Sequence, residues 1–290
     1  MKFKYVHLYS DPITKKLDLS YVCDEVSRIF SNCDIDIRPP FLQCNVNSEN
    51  LDMIAENIAS IRISEIRQPY YNQPEIRQRP IADSIIYEKN LILANLASLQ
   101  RPQTNLILYD GFMMQRLLAT LIPKNENSTD NIHIVFDSRL TCTFSEETGI
   151  DVDNSNNNCD DWRYHGRAIV CGTPSIISTT GIVEAPAKPK QFYLKQIPFS
   201  ASRLNFSLEE LKKEFAGKYI DYDDPQINFA ATGYVLQSLF FFLTDGYPFC
   251  EEKDCRLFNT HWQEDLINCQ IKNQKLCRRH LLLLEKFVRK

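Results

Sequence analysis

The chain has 290 residues, 43% hydrophobic and 24% charged, enough for one large domain or two modest ones around a substantial core. Its 33 basic and 37 acidic residues leave a net charge of -4, so no overall field draws it to nucleic acid or to an anionic membrane surface. The opening MKFKYVHLYSDPITKK has no apolar signal core, and of the ten cysteines six (Cys23, Cys33, Cys44, Cys142, Cys159, Cys171) are scattered singly, which predicts free thiols and a cytoplasmic protein.

Phe3 to Tyr9 reads as a strand and Leu17 to Phe30 as an amphipathic helix, with Leu19, Val22, Val26 and Ile29 at helical spacing. Cys33 to Ile37 alternates as a second strand, stopped by Pro39-Pro40, and Glu49 to Ile61 makes a second helix with Ser48 as its expected cap. Residues 67–83 hold three prolines and no period, so a loop is expected. Ser84 to Tyr87 and Asn105 to Tyr109 are further strand candidates with a short helix, Leu91 to Leu99, between them, and Phe112 to Ile122 is a helix ended by Pro123.

Ile132 to Phe136 and Leu140 to Phe144 look like paired or consecutive strands, followed by a polar stretch, Ser145 to Asp160. Its DVDNSNNN fails as a calcium loop, because the sixth position from Asp151 is Asn156 where glycine is needed and the twelfth is Trp162 where glutamate is needed. Ala168 to Cys171 regains strand character, and Pro174 to Pro189 reads as extended chain, able to receive a peptide by strand addition or simply to close a sheet edge. Ser207 and Glu210 form a capping box for a helix to Phe215. With no repeat and no Gly/Ser linker, the expectation is one α/β (α+β) domain over 1–290, with a mixed-sheet portion over 1–200 and a helical portion over 207–290.

Gln226 to Thr244 is a run of 19 uncharged residues, apolar on every side of a helix, so the helix must be enclosed. Gln226, Asn228, Thr232, Gln237 and Ser238 within it, and acidic residues on both flanks, argue for a core helix against a membrane span. Beyond it Cys250, Cys255, Cys277 and His280 fall within 31 residues, the last two three apart on one face of a helix; helices are expected over Leu257 to Gln270 and Gln274 to Val288. Spacing alone leaves two readings open, a zinc site or buried thiols beside a surface histidine, with His261 and Cys269 as reserve ligands.

Two other groups draw notice. Arg163, His165 and Arg167, with Glu184 further on, could line a pocket for a small carboxylate or phosphate, although a salt-bridged loop with a satisfied histidine explains the same spacing more simply. Asn259 to Glu264, including His261, reads as structural support for the Cys250 to Cys255 turn or as the border of a cleft, and His7 and His133 read as partnered core residues inside strands. No phosphate loop, dinucleotide fingerprint, serine elbow or intact HExxH is present.

From Leu239 to His280 the chain resembles the archaemetzincins, whose zinc motif H-E-x-x-H-x-x-G-x-x-H is followed by C-x4-C, a methionine two residues on, and later C-x-x-C. Gly246 and the Cys250/Cys255 pair match that frame, and Cys277-x-x-His280 stands at the closing pair. Leu239, Leu243 and Phe249 stand at the three imidazole positions, Phe240 at the general base and Leu257 at the methionine. The whole chain, including DWRYHGRAIVCGTPSIISTTGIVEAPAKP, is similar to an uncharacterised archaeal metallopeptidase-like family. The resemblance implies a metzincin-like mixed twisted sheet with packed helices and a structural zinc on Cys250, Cys255, Cys277 and His280. A catalytic zinc needs about three lone-pair donors and an open fourth position, which Leu and Phe cannot offer. The expectation is therefore a metallopeptidase-like protein without HExxH peptidase activity that binds a peptide or protein, or serves as a scaffold, with no nucleic-acid or membrane partner. The alternatives are a hydrolase whose metal has moved to the His165 and His261 regions, and a binding protein for small anions. The sequence does not set an oligomeric state.

Overall fold

The structure, a computed structural model, describes residues 2–64, 82–94, 107–145, 163–166, 168–201 and 208–288. Four parallel strands form the main sheet in the order β2-β1-β4-β7: β1 (Tyr5–Tyr9), β2 (Asp34–Arg38), β4 (Asn131–Asp137) and β7 (Ser175–Ser178). A smaller sheet, β3-β5-β6, joins β3 (Leu108–Asp110) parallel to β5 (Leu140–Ser145) and β6 (Arg163–Gly166) antiparallel to it.

Alternation along the strands decides which helices cover which face. Val6 and Leu8 of β1, Ile132, Ile134 and Phe136 of β4 and Ile177 of β7 pack with α1 (Leu19–Ile29), α9 (Ile227–Leu243) and α11 (Arg278–Val288). Tyr9, Val135 and Ile176 face the other way, onto α2 (Phe41–Asn45), α3 (Leu51–Ser60) and α5 (Gly111–Leu121). α1 forms where expected because its three buried residues fall on one stripe and Asp18 caps it, accepting from the backbone N–H groups of Ser20 and Tyr21. α9 is nearly buried all round, as its uncharged sequence requires, and Asn228 at its start ties it to the α1 approach by accepting from Asp18 N and donating to Lys16 O.

Several local expectations are corrected. Ser84 to Tyr87 is helical, inside α4 (Ala82–Ile92), because Ser84 and Glu88 one turn apart both accept from the Arg62 guanidinium. Residues 179–184 of the supposed extended segment form α6 (Thr179–Glu184), capped by Ser178, which accepts from Gly181 N. The helix assigned from Leu257 starts only at Gln263, as α10 (Gln263–Leu266), and runs into a π-helix, Ile267–Asn273, since residues 255–258 fold back to pair with Cys250 and Lys275. The last helix likewise starts at Arg278, not Gln274, which takes a left-handed turn at φ 50°. Ser48 does not cap α3; Asn47 accepts from the N–H groups of Glu49 and Asn50 there. Ala168 to Cys171 contributes only an isolated pairing of Ile169 with Ile176, and β4 and β5 are consecutive strands of different sheets. The expected loop over 67–83, apart from its last two residues at the start of α4, lies outside the described residues, as do most of the Leu91 to Leu99 helix, the polar stretch after Ser145, and Ser207 of the capping box.

Among the described residues α7 (Lys190–Ala201) and α8 (Leu208–Glu214) are the remaining helices, and Phe192, Leu211, Phe215 and Tyr219 form a small separate core with them.

Candidate metal centre

Thr244 to Cys255 leaves α9 through a tight turn at Gly246, whose φ of 108° lies where side chains bearing a Cβ are strained. The chain then doubles back: Cys250 N donates to Leu257 O at 2.8 Å and Arg256 N to Lys275 O at 2.7 Å. These two pairings bring the turn beside the first residues of α11. One donor atom each from Cys250, Cys255, Cys277 and His280 then lies within 4.8 Å of all the others.

The spacing matches a coordination tetrahedron. Metal–sulfur and metal–nitrogen bonds of about 2.3 and 2.0 Å give tetrahedral edges of about 3.8 Å between sulfurs and about 3.5 Å between sulfur and nitrogen. Here the Cys250 and Cys277 sulfurs are 3.8 Å apart, and His280 Nδ1 is 3.6 Å from Cys255 Sγ and 3.1 Å from Cys277 Sγ. Backbone N–H groups of Glu252 and Cys277 point at the sulfurs of Cys250 and Cys255, both at 3.4 Å, as they do around thiolate ligands.

Electrostatics favours a cation there. Burial pushes the Cys255 thiol up to about 12 and raises that of Cys250, while burial, then the neighbouring Arg279 charge, lowers His280. A pocket that resists thiolate charge by itself yields it to a divalent ion, which supplies the missing positive partner. Arg279 contacts His280 Nε2 at 3.2 Å, which suits the tautomer with its proton on Nδ1; for His280 to hold a metal through Nδ1, the proton would have to sit on Nε2 and the exposed Arg279 would have to give up this contact. The reserve ligands do not join the cluster: Cys269 is buried with its sulfur toward Leu266 O, and His261 is exposed.

α9 is the wall of this site. Phe240 packs edge-on against the His280 ring at 5.3 Å. Leu239 and Phe240 are both fully buried. Gly233 lets the π-helix close on α9, because a Cβ there would stand 1.8 Å from Gln270 Oε1. Gln270 in turn donates to Arg256 O at 2.6 Å, so the contact grips the residue after Cys255.

The other predicted residues are described only in part. Arg163 and His165 lie on β6, His165 opposite Thr143, with their side chains outside the description, and Arg167 is not described. Glu184 ends α6 and pairs with Lys188 at 3.5 Å. In the Asn259 to Glu264 stretch Gln263 gives the support, but to different neighbours: it accepts from Ile220 N and donates to Ile182 O and Val183 O.

Two groupings were not legible in the sequence. A cleft opens outside the carboxyl ends of β1 and β4, lined by Asp11, Leu42, Asp137 and Arg139, where the chain order switches from one side of β1 to the other. The second is a cluster of His7, Glu126 and His133, with donors within 4.8 Å of one another. Both histidines are buried and partnered, as expected, but strand alternation could not reveal that β1 and β4 are neighbours in register, nor that Glu126 joins them.

A parallel sheet with helices on both faces, an enclosed uncharged helix and a Cys3His cluster beyond it define an α/β protein with a site able to hold a metal ion. The profile of the family described as "Probable metallopeptidase family (DUF6775)" matches residues 2–287, and the chain belongs to that family. No curated protein and no solved structure matches it. Membership in such a family implies a metal, and the Cys3His cluster is chemically suited to one. Among the described residues no helix is long and apolar enough to cross a membrane.

Proposed function

We propose that this family member carries one structural zinc on Cys250, Cys255, Cys277 and His280, has no catalytic metal on α9, and holds a peptide or protein segment without cutting it. The observation that carries the reading is the near-tetrahedral spacing of the four donors. Four protein ligands close the sphere, leaving an ion no position for water or substrate. Its binding energy therefore goes into fastening α11 and the turn against α9. Zinc is favoured over other ions because three thiolates and an imidazole are soft donors in a tetrahedral arrangement.

The archaemetzincin resemblance supports the second half of the proposal. At its ligand and base positions Leu239, Leu243, Phe249 and Phe240 carry no lone pair, and Leu239 and Phe240 are packed in the core. The small cleft at the carboxyl ends of β1 and β4, lined by Ser10, Asp11 and Gln43, is the place we assign to a side chain or chain end of the bound segment. The nine described cysteines are all free thiols, in keeping with the cytoplasmic placement proposed here.

The test offers the zinc-loaded protein a mixed peptide library, with retained peptides and new chain ends both read by mass spectrometry. Peptides retained intact are the expected result. New ends that disappear with a chelator would overturn the reading, and a library passing through unretained would remove its binding half.

A further inference from the structure

We propose that His7, Glu126 and His133 form a second metal site, for a divalent transition-metal ion, with three protein donors and at least one coordination position left open. The inference stands on residues remote in sequence from the Cys250 cluster and does not rest on the function proposed above.

The sheet itself builds the site. Parallel register sets His7 beside His133 across β1 and β4, and Asp36 beside His7 across β1 and β2, so three polar side chains share one row of a rigid sheet face. The two imidazole rings lie 4.9 Å apart, and Glu126, from the turn before β4, brings its carboxylate to within 4.8 Å of a donor nitrogen on each.

The outer contacts are those that position metal-binding imidazoles. His7 Nδ1 is held by Asp36 Oδ1 at 2.6 Å, and His133 Nδ1 by the Tyr9 hydroxyl at 3.0 Å. Ligating histidines have one ring nitrogen fixed in this way by a carboxylate or another polar group, which orients the ring and sets the tautomer that leaves the other nitrogen free to bind. The remaining Nε2 atoms have weaker partners: the Asn131 side-chain oxygen at 3.0 Å from His7, and the Glu126 carbonyl at 3.3 Å from His133. The Asn131 amide, which also donates to Ser128 Oγ, can reverse, and a 3.3 Å contact is readily exchanged for a metal bond.

Arg38 is the competitor. Its Nη1 lies 2.6 Å from Glu126 Oε2 and its Nη2 3.1 Å from Oε1, and it also contacts Asp36 and the Tyr9 hydroxyl. A carboxylate has about four lone-pair sites, so Glu126 can serve both Arg38 and a metal, but the guanidinium charge opposes the ion. The site should therefore bind more loosely than the thiolate cluster and exchange its ion readily. Two imidazoles and a carboxylate suit Zn2+, Co2+ or Ni2+ and leave a position for water.

The test titrates full-length protein, already carrying zinc on its cysteines, with Co2+ and follows binding by metal analysis after dialysis and by visible absorption. One Co2+ per chain beyond the zinc is expected, with d–d bands and no thiolate-to-cobalt charge transfer. That equivalent should be lost in both His133→Gln and Glu126→Gln, the latter a turn residue whose replacement leaves the strands intact, and Arg38→Gln should bind it at least about tenfold more tightly, the factor expected for about 1.4 kcal/mol of relieved repulsion. Absence of a second equivalent, or its survival unchanged in both loss variants, overturns the proposal. Charge-transfer bands alone would mean that cobalt entered only the cysteine cluster, which also counts against it; loss of zinc from that cluster with the d–d signal kept would fail only the function proposed above.

Discussion

Gly233→Ala separates two effects that act in opposite directions. In an exposed helix the change would stabilise by about 1 kcal/mol, because alanine is the better helix former. At Gly233 the added methyl would stand 1.8 Å from Gln270 Oε1 and 2.1 Å from its Cδ, where real contacts exceed 3 Å, so the buried carboxamide has to leave. Its departure breaks the 2.6 Å bond to Arg256 O and strands a buried carbonyl, a loss of about 1–3 kcal/mol. Crowding adds about 1–3 kcal/mol. The net expectation, taking the middle of each range less the helix gain, is destabilisation by about 3 kcal/mol, measured as a fall in the urea midpoint at unchanged slope. Gln270→Ala opens the space, so in that background Gly233→Ala should be neutral or mildly stabilising, with a coupling of at least about 2 kcal/mol in the double-mutant cycle. Stabilisation of the otherwise wild-type protein by Gly233→Ala, or additivity to within about 0.5 kcal/mol, would refute the close approach of the π-helix to α9.

Three further outcomes follow from the same coordinates. Glu88, fully buried, anchors Arg62, Arg139 and the Tyr109 hydroxyl, so Glu88→Gln should cost about 3 kcal/mol by leaving the buried Arg139 charge short of a partner; an unchanged urea midpoint would contradict this. Leu239→Ala should cost about 3 kcal/mol through a core cavity while metal analysis still finds one zinc per chain, since the residue packs and does not ligate. Burial, and to a smaller extent the Asp137 charge, raises Asp11 above its usual value near 3.8, so the native state holds that proton more tightly than the unfolded chain. Its contribution is present below about pH 4 and lost as pH rises through the native value, so Asp11→Asn should gain stability relative to wild type from pH 4 toward neutrality; pH–stability curves that stay parallel would count against it.

The parts legible in sequence were those written in local pattern. The uncharged run became α9, the stretches read as strands at Phe3 to Tyr9 and Ile132 to Phe136 became the buried β1 and β4, and the spacing of Cys250, Cys255, Cys277 and His280 marked four residues whose donors converge. The failures came where distant contacts override local preference. Ile85, Ile86 and Tyr87 favour a strand by composition, yet α4 forms because Glu88 must meet Arg62 and Arg139. Between Leu257 and Trp262 the backbone is taken by pairings near Cys250 and Ala187, so no helix forms there. The pairing of His7 with His133 spans 126 positions and depends on strand order, which alternation does not encode. Gln270 meets Gly233 through a π-helix, whose spacing shifts by one residue per turn from the period used to read the sequence.

The most direct test of the structural-zinc reading is zinc content per chain in protein purified without added metal, before and after mild chelation, beside Cys250→Ser/Cys277→Ser. The account predicts about one tightly held zinc in the wild type and none at that site in the variant, with a lower unfolding midpoint. Wild-type protein that contains no zinc and is as stable as a zinc-supplemented sample would contradict it.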